Sequence, residues 1–252
     1  FLNVQKKGIH DASKFLTLDA AHIARVSALT HGKTLLPIAP ENTSPEVVAG
    51  LVAKGCVVSA GHTNTDYNTM RAALGAGGTG FTHLFNAMSQ FINREPGVVG
   101  AALEDKGSWC GLIVDGHHLS DTALRIALAC KSPEKCILVT DAMPTVGSVE
   151  KRFTLQGQII TAERGICTSS DGTLAGSDLD MASALRNLLA RTDVSIEQGL
   201  SMTARTAAEF MGLGDIFGRI ATGYRANLVA LSPDMQVVET WIDGQRSASE
   251  NV

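Results

Sequence analysis

Residues 56–62 have the sequence Cys-Val-Val-Ser-Ala-Gly-His, a short β-rich run that ends at a glycine and a histidine. The same succession of an apolar run and a polar side chain recurs at Gly80–His83, after Trp109–Val114 and after Cys136–Thr140, and Lys33–Ala39 is a further apolar run. Helical patterns separate these runs, which is typical of a parallel sheet with right-handed crossovers. The chain has 252 residues, close to the roughly 250 of a (β/α)₈ barrel. These features predict an α/β fold of the barrel type.

The second half of the chain changes character. Residues 153–173 alternate and are broken by glycines, which predicts a hairpin, and helices are expected over 179–191 and 196–211. Residues 171–177 have the composition of a loop that precedes a helix. Two further strands are predicted at Ala226–Leu231 and Val237–Ile242, with a turn at Asp243-Gly244, and they indicate β-structure outside the barrel.

Composition limits the classes of partner. The chain has 21 Lys and Arg against 25 Asp and Glu, a net charge of −4, and no basic run interleaved with aromatic residues. A role at nucleic acids or membrane surfaces therefore has no electrostatic support, and a small polar substrate is favoured. No apolar run reaches the ~20 residues of a membrane span. The cysteines are odd in number and never form a C-x-x-C pair, so we expect reduced thiols and a cytoplasmic protein.

Three predicted strands end in a group that can bind a metal or move a proton, namely His62, His83 and Asp141. A lone histidine or aspartate at such a place is usually structural, but in a barrel the three positions converge on the face where active sites form. There, two neutral imidazoles can hold a divalent ion while a carboxylate handles the proton of a water molecule. Arg94 and His118 lie in loops expected on the same face and are candidates for an anionic substrate group.

Short segments that recur in order along the chain carry a family resemblance. They are KKGIH (6–10), VVSAGHTN (57–64), THLFNAM (82–88), REPG (94–97), DGHH (115–118), LVTDA (138–142), GTLAGS (172–177), GRIATGYRANLVAL (218–231) and IDGQ (242–245). In these segments the sequence resembles the N-acetylglucosamine-6-phosphate deacetylase family of the amidohydrolase superfamily. The family's usual tail reads Ala-Asp-Leu-Val, whereas Asn227 replaces the aspartate here.

The resemblance implies a role for each matching residue. His62 and His83 are implied as metal ligands, Asp141 as the catalytic acid and base, and His10 as the group that polarises the acetamide carbonyl. By itself, the stretch around Lys6, Lys7 and His10 is most typical of a solvated terminus. The remaining implied substrate-binding residues are Ile9, Asn86, Ala87, Arg94, His118, Leu174, Ala175 and Gly176.

The implied substrate is N-acetylglucosamine 6-phosphate, which would be hydrolysed to glucosamine 6-phosphate and acetate in amino-sugar catabolism. Arg94 and His118 are implied to bind the 6-phosphate, with Arg94 reaching the neighbouring subunit's site in a homodimer. The implied cofactor is a divalent metal ion, with Zn²⁺ favoured and Fe²⁺ or other ions as alternatives, because two histidines suit several metals.

The resemblance also implies that the chain lacks part of the family's architecture. The family's third protein ligand is a glutamate in a Glu-Gly-Pro motif immediately before the segment that begins at Phe1. We therefore expect a TIM (β/α)₈ barrel of the metal-dependent amidohydrolase type, incomplete at the N-terminus, over 1–217. Residues 218–252 are expected to supply strands of a small β-sandwich domain.

Two other functions stay open at this point. One is another amidohydrolase, which acts on a cyclic amide or on another N-acetyl amino sugar. The other is a truncated, non-catalytic protein that binds a sugar phosphate.

Overall fold

The predicted strand–helix units are present in the computed structural model, which describes residues 1–247. The strands of the parallel sheet within that range are β1 (Leu35–Ile38), β2 (Val57–Ala60), β3 (Gly80–Phe81), β4 (Trp109–Leu112) and β5 (Cys136–Leu138). The helices described are α1 (Ala20–Val26), α2 (Pro45–Ala53), α3 (Tyr67–Gly75), α4 (Gly97–Glu104), α5 (Asp121–Cys130), α6 (Met181–Arg191), α7 (Ile196–Thr203) and α8 (Arg205–Phe210).

The parallel strands follow one another in the sheet in the order of the chain, from β1 to β5. Each neighbouring pair is parallel, for example β1 with β2 through Leu35↔Val57 and β4 with β5 through Cys110↔Cys136. One of the helices α2 to α5 lies in each connection between successive strands. The carboxyl ends of all these strands therefore meet at one edge, as predicted.

The main core lies where the sheet packs against its helices. Leu112 and Leu138 from the strands, Leu124 from α5 and Leu188 from α6 are all at most 2% exposed and belong to one cluster. Burial of each such side chain stabilises the fold by about 1.5–3 kcal/mol. This core holds the strand ends in fixed relative positions.

Three of the helices between the strands begin at polar capping residues. The side chains of Ser44, Asp66 and Ser120 accept hydrogen bonds from backbone N–H groups in the first turns of α2, α3 and α5. In α4, by contrast, Pro96 makes no side-chain capping hydrogen bond. Neither α1 nor α4 is predicted from the sequence.

The region predicted as a hairpin is larger than expected. Within the described residues it forms an antiparallel sheet, the flap sheet, in the order β6 (Arg152–Leu155), β7 (Gln158–Glu163), β8 (Ile166–Ser169) and β9 (Leu174–Ser177). The interpretation of 171–177 as a loop is therefore wrong for Leu174–Ser177. The helix predicted over 196–211 is also divided, because Ala204 adopts φ −133° and ψ −70° between α7 and α8.

The tail forms a separate antiparallel sheet in the described part of the chain, made of β10 (Leu228–Leu231), β11 (Val237–Ile242) and β12 (Gln245–Arg246). Asp243 and Gly244, which join β11 to β12, both have positive φ, as a tight hairpin turn requires. Residues 248–252 of the predicted tail lie outside the described residues. Across 1–247, the helices are all too short or too polar to cross a membrane.

Candidate active site

A cavity of about 370 Å³ opens at the carboxyl edge of the parallel sheet. Most of the predicted site residues line it. They are Ile9, His10, His62, His83, Asn86, Ala87, His118, Asp141, Leu174, Ala175 and Gly176. Arg94 does not line this cavity and lies exposed in the loop before α4.

The three strand-end residues share an unusual backbone conformation. His62, His83 and Asp141 have φ values of 49°, 37° and 52°, in the left-handed region that residues other than glycine seldom adopt. Such conformations cost about 1–3 kcal/mol each and cluster at active sites, where the surrounding structure maintains them. Here the left-handed turn ends each strand and the side chain contributes to the cavity wall.

The two histidines predicted as metal ligands face each other. The Nε2 atoms of His62 and His83 lie 3.1 Å apart. His62 Nδ1 lies 2.7 Å from the backbone oxygen of Lys6, which can only accept a hydrogen bond. The ring proton is therefore on Nδ1, and the lone pair on Nε2 points toward His83.

Burial keeps both rings uncharged at neutral pH. Removal from water, together with the neighbouring His83, lowers the pKa of His62 to about 4. Burial also lowers the pKa of His83, whose Nδ1 has no hydrogen-bond partner among the described residues. Neutral imidazoles with free lone pairs are the form that binds metal ions.

The spacing of the pair fits a shared cation. Two nitrogen ligands at about 2.0–2.1 Å from one Zn²⁺ lie about 2.8–3.4 Å apart for bond angles from a right angle to tetrahedral. The Nε2 to Nε2 distance of 3.1 Å lies within that range. Within residues 1–247, however, no cluster of three or more His, Cys, Asp or Glu side chains forms a complete ligand set. Among the described residues, His62 and His83 are therefore one pair of candidate ligands.

Two further side chains flank the imidazole pair. The ring of His10 packs edge-on against His62, with ring centroids 4.8 Å apart. The carboxylate of Asp141 is 45% exposed, and its Oδ2 lies 3.8 Å from His118 Nε2. His10 and the accessible carboxylate of Asp141 thus line the same cavity as the imidazole pair, where these group types can serve general acid–base chemistry.

His118 is held by Asp115, an aspartate that is not among the site residues predicted from the sequence. Asp115 Oδ2 lies 2.6 Å from His118 Nδ1, and both side chains are almost completely buried. Although burial raises it, the hydrogen bonds from His118 and from the backbone N–H groups of His117 and His118 keep the pKa of Asp115 below its ordinary value. The sequence does contain a signal for this contact, because Asp115 and His118 are three residues apart in one loop.

Other residues that line the cavity were also not selected from the sequence as site residues. They are Gln5, Lys6, Gly8, Met143 and Thr173. Lys6 belongs to a stretch that is typical of a solvated terminus, and only its position beside His62 places it in the wall. Thr173 and Met143 come from the flap sheet's last connection and from the segment after Asp141.

Comparisons with known proteins show which family this chain resembles. The amidohydrolase family model matches residues 30–246. The N-acetylgalactosamine-6-phosphate deacetylase of Shewanella sp. (strain ANA-3) is 37% identical over 97% of this chain and 62% of its own length. The N-acetylglucosamine-6-phosphate deacetylase of Vibrio furnissii is 32% identical over 97% of this chain and 62% of its own length. The chain thus spans about three-fifths of these relatives.

A solved structure is similar across nearly the whole chain. The crystal structure of N-acetylglucosamine-6-phosphate deacetylase from Pasteurella multocida is 31% identical, with a TM-score of 0.93 over 98% of this chain and 65% of that chain. The expected fold class is confirmed, since the parallel sheet forms part of an amidohydrolase TIM barrel. The family match over most of the residues, the structural similarity and the strand-end histidines lead to one conclusion: the chain belongs to the amidohydrolase family.

Proposed function

We propose that the protein to which this chain belongs hydrolyses the N-acetyl group of N-acetylglucosamine 6-phosphate, with glucosamine 6-phosphate and acetate as products. The observation that carries the proposal is the convergence of His62, His83, His10 and Asp141 from separate segments on one cavity. The names of the relatives support the same substrate class.

The proposed chemistry assigns each of these groups one task. His62 and His83 would hold a divalent ion, which when bound activates water and polarises the amide carbonyl. Asp141 accepts a proton from the attacking water and later donates a proton to the leaving nitrogen. His10 donates a hydrogen bond to the carbonyl oxygen as negative charge develops there. The C–N bond breaks and a C–O bond forms, so acetate and the free amine leave.

Recognition of the phosphate is assigned to His118 and Arg94. Asp115 occupies Nδ1 of His118, so that only Nε2 is available to a substrate. Arg94 is exposed and does not line the cavity of its own chain, which supports its proposed role in the neighbouring site of a homodimer. The side chains of Phe91 and Ile92 in the same loop, each 61% exposed, are suited to such an interface.

The proposal also names the metal ion, the domains and the cellular location. Zn²⁺ is the proposed ion, because the Nε2 spacing fits it, and Fe²⁺ is an alternative. Residues 1–217 are proposed as the catalytic unit and 218–252 as part of a small β-sandwich. A cytoplasmic location is proposed because all the cysteines are free thiols.

A second candidate substrate is the C4 epimer, N-acetylgalactosamine 6-phosphate. The observation that favours it is the 37% identity with the Shewanella enzyme of that name. Both candidates share the acetamide and the 6-phosphate, so the same site residues would serve either sugar.

The test is an acetate-release assay on the full-length protein with both phosphorylated sugars and their unphosphorylated forms. We expect release from one or both phosphorylated sugars, loss after treatment with a chelator and recovery with Zn²⁺. Tight binding of the sugar phosphate by metal-loaded protein without any acetate release would contradict the proposal and favour a binding protein. Faster release from the unphosphorylated sugars would contradict phosphate recognition.

A further inference from the structure

Glu41 lies in the turn Pro40–Asn42 that follows β1, outside the cavity, and its carboxylate accepts three hydrogen bonds. Oε1 accepts from the side chain of Asn3 at 2.8 Å and from the backbone N–H of Asn64 at 2.7 Å. Oε2 accepts from the hydroxyl of Thr63 at 2.5 Å. We propose that Glu41 is a positioning residue that fixes the orientation and the tautomer of His62, an inference that rests on the proposed metal-dependent function.

The first part of the argument is the chain on the C-terminal side of His62. Thr63 and Asn64 follow it directly, and Glu41 binds both. The backbone N–H of Thr63 also donates to the oxygen of Ala87 at 3.1 Å. Because His62 has a left-handed backbone conformation, the residues after it must be held for that conformation to persist. Glu41 supplies two of these restraints.

The second part is the N-terminal segment. Asn3 donates its side-chain N–H to Glu41, and its backbone N–H donates to the oxygen of His62 at 2.8 Å. The Oδ1 of Asn3 accepts from the N–H of Gln5 at 2.7 Å and so caps the turn Val4–Lys6. Glu41 therefore holds the start of the turn that presents the backbone oxygen of Lys6.

These contacts form a closed circuit that begins and ends at His62. The oxygen of Lys6, at the end of that turn, accepts the Nδ1 proton of His62. The circuit runs from His62 through Thr63 to Glu41. From Glu41 it continues through Asn3 and the turn to Lys6, whose oxygen contacts the imidazole of His62. Hydrogen-bond partners on the second nitrogen of a metal-binding histidine fix its tautomer and ring orientation. Glu41 thus acts on the metal ligand through this circuit of contacts, without itself lining the cavity.

The experiment compares Glu41→Ala and Glu41→Gln in the full-length protein. Glutamine keeps one oxygen for Asn3 and Asn64, and its N–H can donate to the hydroxyl of Thr63. Asp105→Ala is the matched control, because Asp105 also accepts three hydrogen bonds, from Arg71, Gly107 and Ser108. Ser108 immediately precedes β4, so this cluster lies at the opposite edge of the sheet.

Two measurements are made on each variant. Zn²⁺ affinity is measured by competition with a chelator, and the tautomer of His62 is read in the metal-free protein from ¹⁵N-histidine NMR, with His62→Asn for assignment. We expect Glu41→Ala to weaken Zn²⁺ binding about 10–100-fold and Glu41→Gln by less than about tenfold. Only Glu41→Ala should shift the His62 signals toward a mixture of tautomers. Asp105→Ala should lower the melting temperature and change neither readout.

The outcomes separate this inference from the proposed function. Unchanged His62 signals in Glu41→Ala, or a loss of Zn²⁺ affinity no greater than in Asp105→Ala, would overturn the positioning role. A wild-type protein that binds no Zn²⁺ would overturn the proposed function, while the NMR readout of the metal-free protein would still decide the role of Glu41.

Discussion

At the scale of single residues, Asp141 combines a left-handed backbone with an accessible carboxylate. Asparagine keeps the shape of the side chain and tolerates the same backbone conformation, so Asp141→Asn should fold normally. We expect kcat to fall about 10²–10⁴-fold, because the variant cannot move a proton, while substrate affinity measured by calorimetry changes little. Asp193→Asn, at an exposed aspartate, is the control. Near-wild-type kcat in Asp141→Asn would exclude the proposed acid–base role.

The lowered pKa of His62 predicts how stability depends on pH without metal. The folded protein has a pKa of about 4 at this residue against an ordinary value of 6.5, so the unfolded chain binds more protons between these values. The stability that His62 contributes is therefore fully present above about pH 6.5 and is lost as the pH falls toward 4. His83 acts in the same direction, since burial lowers its pKa too.

Thermal unfolding with a chelator present, followed by circular dichroism across this pH window, checks the prediction. His62→Asn should flatten the decline of the melting temperature, because it removes one of the titrating groups. His31→Asn, at an exposed histidine, should leave the slope unchanged. An identical slope in His62→Asn and the wild type would refute the assignment.

At the scale of elements, strand β9 connects the flap sheet to the catalytic segment. The N–H of Ser177 donates to the oxygen of Asp141, and the N–H of Met143 donates to the oxygen of Ser177, both at 2.9 Å. Gly176 has φ +119°, and a Cβ there would lie 2.8 Å from the oxygen of Asp141. Only glycine allows β9 to approach Asp141 this closely.

Gly176→Ala should therefore displace Asp141 as well as strain β9. We expect a loss of about 2–4 kcal/mol in unfolding free energy from backbone strain and overpacking together, with a fall in kcat. Gly157→Ala is the matched control, since Gly157 has φ +81° with nothing within 4 Å of the added Cβ. Chemical denaturation and acetate release report the two effects. Equal losses of stability and activity in both variants would show that contact with Asp141 is unimportant.

The elements that the sequence predicts well are those with local signals. Each of α2, α3 and α5 begins at a polar capping residue, and β2 and β5 are apolar runs that end before a polar group. Helix α4 has no such signal, because its sequence contains two glycines and its start has no side-chain cap. It forms because nearly all of it is buried, an effect of tertiary packing that overrides local propensity.

The same distinction applies to the candidate site. His62, His83 and Asp141 are predictable because they follow strands, and the cavity brings them together. The oxygen of Lys6 is a backbone atom, so no side-chain pattern marks it as the partner of His62. The role of Glu41 depends on contacts with Asn3 and Thr63, far from it in the sequence, and these become visible only in the folded chain.

At the scale of the whole molecule, the proposed homodimer predicts complementation between two defective variants. Arg94→Ala should raise the KM for the phosphorylated sugar, and Asp141→Asn should remove turnover. If Arg94 serves the partner's site, a mixed dimer of the two contains one site with both residues intact. An equimolar mixture, refolded or exchanged to equilibrium, should then recover about a quarter of wild-type activity at low substrate concentration.

As the control, each variant is taken alone through the same refolding or exchange procedure. A mixture with no more activity at low substrate concentration than the sum of the separate variants would place Arg94 in its own subunit's site.

Replacement of the exposed Phe91 by aspartate should reduce dimer formation in sedimentation experiments. Ile220→Asp, at another exposed apolar side chain, should leave sedimentation unchanged.

The order of the parallel strands also bears on when the site forms during synthesis. His62 and His83 end neighbouring strands that only helix α3 separates, so a single β-α-β unit brings the two imidazoles together. His118 and Asp141 follow the next two strands of the sheet, β4 and β5. Because the chain is synthesised from its amino end, both histidines of the pair have been made before the carboxylate that would act beside them.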